Sequence, residues 1–341
     1  MFKGGIQMNT GEGKVVYCFL PLRDDQKKRL EEAAPKAEFV YAKRKDITKE
    51  ELYRANVVIG NCGCENIAGS PNIEFVQTQS AGCEHYVQPG ILRDECILAN
   101  GTGTFGPGIS EYMLAITLEH CRGLHIYRDN QIARKWSWDT HAVELYRSTV
   151  IVLGIGDIGS EYAKKIKACG SYVIGFSKHR KETKPDYFDE LHTIDELDEH
   201  IGRADIIACI MPETPETINL INKSRFEKMK KGVILINAGR GSAINTDDLC
   251  EALDKKILGG VGLDVVNPEP LPEDHKLWSY REVTITPHNT GGSLYKEGGS
   301  AFEDRNFDLV VLENFKKFIN GEKIQAVDRK TGYRQSSEPK K

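Results

Sequence analysis

Three side chains in this sequence stand where chemistry could be done: Arg240 in NAGRG, Glu269 in NPEPLP and His288 in TPHNTGG. Each follows closely on a short apolar run, GVILIN, GLDVV and VTIT respectively. In open α/β sheets, ligands bind beyond the carboxyl ends of the strands, so three polar groups in that position are expected to face one crevice. The set suits reduction of a 2-keto acid. A guanidinium can grip the substrate carboxylate and polarise the ketone beside it. A protonated imidazole can give the carbonyl oxygen its proton as hydride arrives at carbon, and a neighbouring carboxylate favours the imidazolium near neutral pH. Singly, each residue has an ordinary reading: a surface arginine, a glutamate in a proline turn, or a structural histidine like those expected at His85, His120, His125, His192 and His200. Their shared placement is what carries the assignment.

A nucleotide-binding loop precedes them. Gly154-Ile155-Gly156-Asp157-Ile158-Gly159 fits G-x-G-x-x-G between a β-branched run and a helical pattern. The first glycine permits the tight turn, the second lets a pyrophosphate approach the backbone, and the third lets helix and strand pack closely. The phosphates are then met by N–H groups at a helix N-terminus. A second match, Gly101 to Gly106 in GTGTFG, is followed by some thirty residues of helical pattern and no second strand. It is read as a loop near a domain boundary, not a second nucleotide site.

In an NAD-binding unit an acidic residue about 20 positions past the glycines accepts the ribose hydroxyls. Here the position 23 residues after Gly154 is Ser177, followed by Lys178, His179 and Arg180. Uncharged and cationic groups there suit a 2′-phosphate, so NADP(H) is expected over NAD(H).

The elements that must position these residues form two βα arrays. The first runs through VVYCFL (15–20), AEFVY (37–41), NVVIG (56–60), EFVQTQ (74–79) and CILAN (96–100). The second comprises STVIVLG (148–154), YVIGF (172–176), DIIACI (205–210), GVILIN (232–237), GGVGLDV (259–265) and VTIT (283–286). Helices are expected over 107–135, 158–169, 195–202, 246–255 and 294–319, with a mobile tail over 329–341. Strands alternating with helices imply parallel sheets covered on both faces. At 341 residues the chain predicts two domains.

Composition excludes other classes. Forty-six Lys+Arg against 50 Asp+Glu leave a formal charge of −4, no footprint for nucleic acid or anionic membrane. No apolar run approaches the roughly 20 residues of a transmembrane helix, and MFKGGIQMNTGEGK lacks the apolar core of a secretory signal. A soluble cytoplasmic protein is the expectation. The nine cysteines are odd in number and scattered, unlike a disulfide framework. Cys62 and Cys64 are the only close pair and lack further ligands nearby, so no metal is expected.

From Thr149 to Gly292 the chain resembles the D-isomer-specific 2-hydroxyacid dehydrogenases, through VLGIGDIGSEYAK, MPETPETINLI, FEKMKKGVILINAGRG, GGVGLDVVNPEPLP and TPHNTGG. QTQSAGCEHY and ISEYMLA extend a weaker likeness over 56–120. The resemblance implies Arg240 as substrate-binding and catalytic arginine, Glu269 as partner carboxylate and His288 as acid/base. It implies Asp264 on the nicotinamide carboxamide, Met211, Pro212 and Ala238 lining the cofactor cleft, and the N–H groups of Ser80, Ala81 and Gly82 on the substrate carboxylate. It further implies an α/β fold of two Rossmann-like domains with a cleft between them. A discontinuous, flavodoxin-like substrate domain would comprise 1–105 and 290–341, and the NAD(P)-binding domain 106–289. A homodimer paired through the linker helices, including apolar positions in 109–126, is also implied. Ser177 departs from the family's frequent acidic residue. The implied activity is reduction of a glyoxylate- or hydroxypyruvate-like acid; the alternatives are 3-phosphoglycerate dehydrogenase and a nucleotide-sensing, corepressor-like binding protein. Formate-acting relatives lack a residue like Glu269, which argues against them.

Overall fold

The computed structural model describes residues 11–138, 142–291, 301–330 and 332–333. In chain order the strands are β1 (Val15–Cys18), β2 (Glu38–Tyr41), β3 (Val57–Ile59), β4 (Phe75–Gln77), β5 (Ile97–Ala99), β6 (Thr149–Leu153), β7 (Tyr172–Ser177), β8 (Glu190–Thr193), β9 (Ile206–Cys209), β10 (Val233–Asn237), β11 (Leu258–Leu263) and β12 (Val283–Ile285). The α-helices are α1 (Asp24–Ala33), α2 (Lys49–Leu52), α3 (Cys64–Ile67), α4 (Gly106–Arg122), α5 (Leu124–Ile132), α6 (Asp157–Ala168), α7 (Leu197–His200), α8 (Lys223–Phe226), α9 (Thr246–Asp254), α10 (Ala301–Asn306) and α11 (Leu312–Ile319). The chain divides into two units, one of residues 1–105 and 293–341, the other of 106–292.

The first unit is a five-stranded parallel sheet in the order β2-β1-β3-β4-β5. This is the flavodoxin-like winding. Successive side chains point to opposite faces of a strand, and both faces here are apolar. Val16, Val57, Ile59, Phe75 and Ala99 pack with Leu30 of α1 and with Leu312, Phe315 and Ile319 of the C-terminal helix. Tyr17, Val58, Val76 and Leu98 pack on the other face with Leu52, Ile67, Cys83 and Tyr86. All five apolar runs named from the sequence form strands. The single helix expected over 294–319 is described only from Ala301, and it is interrupted by a π-helical turn at Phe307–Val311. Residues 294–300 and most of the 329–341 tail lie outside the described residues.

The second unit is a seven-stranded parallel sheet, β12-β11-β10-β9-β6-β7-β8. The chain starts at β6, winds outward to β8, then crosses to β9 and winds the other way, which places a topological switch between β6 and β9. Ile151, Leu153, Ile174, Phe176, Ile207, Leu235, Val261 and Leu263 build one face with Leu197, Phe226, Leu249 and Leu253. The other face lies under α4 and α6, with Met113, Ile116, Tyr162 and Ile166 buried there. Gly262 is required: a Cβ on it would lie 2.6 Å from Ile116. The expected helix over 246–255 is α9, capped by Asn245 Oδ1 accepting from Asp248 N at 3.0 Å.

Two sequence expectations are corrected. The sheet has a strand more than the six apolar runs, because β8 reads ELHT, a polar edge strand with a neighbour on one side only. The helix expected over 195–202 is broken into 3₁₀ turn, short α7 and 3₁₀ turn. No helix among the described residues is long and apolar enough to cross a membrane.

Candidate active site

Within the second unit, β10, β11 and β12 are consecutive parallel strands. Their carboxyl ends therefore share one sheet edge, with neighbouring strands about 4.8 Å apart. Arg240 follows β10, Glu269 follows β11 and His288 follows β12. The glycine loop leaves the same edge after β6, two strands along.

Glu269 and His288 meet: Nδ1 of the imidazole lies 2.6 Å from Oε1 of the carboxylate. Both remain about half exposed, at 46% and 41%. A carboxylate on Nδ1 orients the ring and leaves Nε2 as the nitrogen that can pass a proton outward. His288 has φ +50°, a left-handed conformation uncommon outside glycine. Its N–H is held by the carbonyls of Asp264 at 2.9 Å and Thr286 at 3.0 Å.

The Asp264 side chain completes that restraint. It is 2% exposed and accepts from Thr286 Oγ1 at 2.6 Å, Asn289 N at 3.2 Å, Thr290 Oγ1 at 2.5 Å and Thr290 N at 3.4 Å. Thr286 Oγ1 in turn lies 2.9 Å from the Tyr112 hydroxyl. Burial pushes that phenol up to about 12, so it stays protonated and donates. The carboxylate expected only as a cofactor contact is thus the knot that ties down the loop carrying His288. Tyr112, Thr286 and Thr290 were not singled out from the sequence; hydroxyls flanking a histidine after a strand are the only local signal.

Arg240 sits half-buried at the end of a turn held by its neighbour Asn237. The Asn237 side chain, 1% exposed, donates to the Arg240 carbonyl at 3.0 Å and accepts from Gly239 N at 3.1 Å. A buried asparagine closing a five-residue apolar strand was a readable signal for this clamp. A Cβ on Gly239 would lie 2.8 Å from the backbone of Met211, and one on Gly241 would overlap the Val266 carbonyl. The loops after β9, β10 and β11 are therefore in backbone contact. Met211 and Ala238 are buried beside each other's loops, while Pro212 is exposed.

The three loop glycines divide their duties as a dinucleotide would require. Gly154 has φ +98°, and a Cβ there would stand 2.5 Å from the Ile210 carbonyl at the switch point. A Cβ on Gly159 would overlap the Gly154 carbonyl, and Gly156, which opens α6, has nothing within 4 Å of its missing Cβ. That open position ahead of a helix start, whose first-turn N–H groups have no intrahelical acceptor, fits a pyrophosphate. Ile158 lies in that first turn. The Asp157 carboxylate accepts Gly106 N at 2.8 Å and so ties α4 to the loop.

At the end of β7, Ser177 Oγ donates to the His179 carbonyl at 2.7 Å. Lys178 and Arg180 each pair with an acidic residue at 3.0 Å, Glu216 and Glu196 respectively. In the first unit, the carbonyls of Ser80 and Ala81 are taken by Gly101 N at 2.9 Å and Asn100 Nδ2 at 2.5 Å, and that of Gly82 by Ser80 Oγ at 3.0 Å. Among the described residues no acceptor takes the N–H groups of Ser80, Ala81 and Gly82.

Residues 114–290 match the family model described as D-isomer specific 2-hydroxyacid dehydrogenase, NAD binding domain. A hydroxypyruvate reductase of Blautia hydrogenotrophica is 30% identical over 76% of this chain and 80% of its own. The crystal structure of a D-isomer specific 2-hydroxyacid dehydrogenase family protein from Aeromonas salmonicida superposes with TM-score 0.80 at 30% identity, covering 93% of this chain and all of that one. An NADPH-dependent glyoxylate/hydroxypyruvate reductase of Sinorhizobium meliloti, solved with NADP and sulfate, has TM-score 0.75 at 25% identity, over 94% of this chain and 100% of its own. The chain belongs to the D-isomer specific 2-hydroxyacid dehydrogenase family, oxidoreductases that use NAD(P) to interconvert 2-keto and 2-hydroxy acids.

Proposed function

We propose that this protein reduces glyoxylate, hydroxypyruvate or a similarly small 2-keto acid to the D-2-hydroxy acid, with NADPH preferred over NADH. The observation that carries the reading is the 2.6 Å Glu269–His288 pair, one strand from Arg240 on the edge that bears the glycine loop. The reduced nicotinamide, when bound, supplies the hydride. Arg240 grips the substrate carboxylate and polarises the ketone, and the N–H groups of Ser80, Ala81 and Gly82 add neutral donors to that carboxylate. His288, oriented by Glu269, delivers the proton from Nε2 to the carbonyl oxygen. Gly154, Gly156, Ile158 and Gly159 hold the pyrophosphate, with Met211, Pro212 and Ala238 along the cofactor and Asp264 beside the nicotinamide.

Ser177 leaves the ribose end without a carboxylate, and Lys178 and Arg180 bring cations to it. Their present partners are weak competitors: exposed ion pairs contribute about 0–1 kcal/mol, whereas a 2′-phosphate carries close to two charges. A small substrate is supported by the loops at 61–85 and 101–106, which contain no Lys or Arg to hold a substrate phosphate; this speaks against 3-phosphoglycerate.

The reading includes a homodimer in the cytoplasm. Of the apolar residues on the linker helices, Met113, Ile116 and Ile126 are buried within the unit, while Leu118, Leu124, Tyr127 and Ile132 are exposed and available to a second copy. All nine cysteines are free thiols, which fits a reducing compartment. The test is a panel of 2-keto acids against both reduced cofactors, read as kcat/KM. Turnover of glyoxylate or hydroxypyruvate with NADPH favoured supports the reading; oxidation of neither cofactor by any acid refutes it. Ser177→Asp should shift the ratio toward NADH at least tenfold.

A further inference from the structure

Among the described residues, one group of metal-ligating side chains stands apart from the Arg240–His288 edge. Glu190, His192 and His200 each offer a ligating atom, and these atoms all lie within 4.8 Å of one another. Glu190 and His192 are two apart on β8 and so project from the same face of that edge strand; His200 ends α7. The two imidazoles lie 3.9 Å apart between centroids. Both rest on the ring of Phe176, at 5.6 and 5.9 Å, which gives the cluster an apolar floor. Side-chain exposures of 24%, 20% and 16% mark a group largely withdrawn from solvent yet reachable.

A cation already occupies the convergence point. The Arg203 guanidinium donates to both oxygens of Glu190, at 2.6 and 2.9 Å, and its Nη1 also donates to Nδ1 of His200 at 2.9 Å. An arginine can only donate, so His200 Nδ1 must be the unprotonated nitrogen, with its lone pair aimed inward. That is the form in which imidazole binds a metal. His192 Nε2 lies 2.8 Å from Glu190 Oε2. On the far side of the same ring, Nδ1 is 3.9 Å from the Glu196 carboxylate, longer than a hydrogen bond, and that oxygen already accepts the Thr193 N–H and hydroxyl at 2.7 and 2.9 Å.

We propose that Glu190, His192 and His200 form a binding site for a divalent transition cation of the zinc class, which displaces the Arg203 guanidinium from between them. Two imidazole nitrogens and one carboxylate oxygen are a donor set suited to Zn2+, with a fourth position left to water. The bound cation joins edge strand β8 to α7, which the 3₁₀ turn Ile194–Glu196 connects along the chain. Glu196 also pairs with Arg180, so the site adjoins the turn after β7 without being part of the proposed cofactor contacts.

The test uses the full-length, metal-stripped protein titrated with Zn2+ by calorimetry and with Co2+ by visible absorption. The wild type should bind one equivalent, with cobalt d–d bands and no thiolate charge-transfer absorption, which separates this site from the nine cysteines. The double substitution His192→Ala/His200→Ala should weaken that binding at least tenfold. Arg203→Gln should tighten it several-fold, because the competing cation is gone; a purely structural polar cluster would not respond in that direction. Absence of stoichiometric binding to the wild type, binding that carries thiolate bands, or an Arg203→Gln variant that binds no more tightly would each overturn the proposal.

Discussion

Asp264 is the residue whose replacement tests the architecture of the site most sharply. Its buried carboxylate accepts two hydroxyls and two backbone N–H groups from residues 286–290, and among the described residues no cation pairs with it. Hydrogen bonds to a charged acceptor contribute about 1.5–3 kcal/mol each when short, and less when long. Two of the four are short, so Asp264→Ala should cost on the order of 3–5 kcal/mol, a large part of a typical stability of about 5–15 kcal/mol. Asp264→Asn should cost less, about 1–3 kcal/mol. Its amide keeps one acceptor oxygen for Thr286 and Asn289, and the Thr290 hydroxyl can rotate to accept from the new NH2, leaving only the long Thr290 N–H contact in donor–donor conflict. The same loop holds His288 at φ +50°. Released, it lets Nε2 wander, and a displacement of about 1 Å can reduce turnover roughly 100-fold. Urea unfolding monitored by circular dichroism gives the stability order, and kcat with NADPH gives the positional effect. A urea midpoint unchanged in both variants, with the whole effect confined to the KM for cofactor, would refute the anchoring role and leave Asp264 as a nicotinamide contact alone.

Further outcomes are expected. His288→Gln should lower kcat by a factor of about 10²–10⁴, the range of general acid catalysis, with NADPH affinity nearly intact; Glu269→Gln, which keeps a hydrogen-bonding group, should cost less, and fluorescence titration of NADPH separates binding from turnover. Gly156→Ala meets open space and should leave the melting temperature unchanged while weakening NADPH binding, whereas Gly159→Ala collides with the Gly154 carbonyl and should destabilise by several kcal/mol. Stability should fall on acidification through buried His120 and half-buried His125, whose rings lie 4.4 Å apart. Burial, and then His125, hold His120 down at about 3, and burial lowers His125 too. Below the ordinary histidine value of 6.5 the unfolded chain therefore takes up protons that the folded chain refuses, so His120 removes about 1.4 kcal/mol per pH unit and His125 adds to the loss in the same direction. Urea midpoints from pH 7 to 4.5 should show this slope, and His120→Leu should reduce it by one proton; an unaltered slope in that variant would remove His120 from the account.

Much of the fold was legible because burial writes itself into residue type. Eleven strands coincide with apolar runs, and both sheets bury side chains against helices, so most positions in those runs are apolar. The twelfth, ELHT, escaped notice because an edge strand of mostly polar residues leaves no such trace. The break of the 195–202 helix and the π turn at Phe307–Val311 are settled by packing against the sheets, which spacing alone does not record.

The site divides along the same line. Residue types and their positions after apolar runs were enough, by themselves, to mark Arg240, Glu269, His288 and the glycines of 154–159, because strand ends and tight turns are local features. Only the tertiary structure decided which groups touch. Glu269 and His288 meet from the neighbouring strands β11 and β12, Asp264 gathers the loop that carries the histidine, Asp157 holds α4, and Glu190, His192 and His200 converge around Arg203. Such pairings join residues from separate strands and helices, and their distances depend on how the sheet is wound and twisted, which no short stretch of sequence contains.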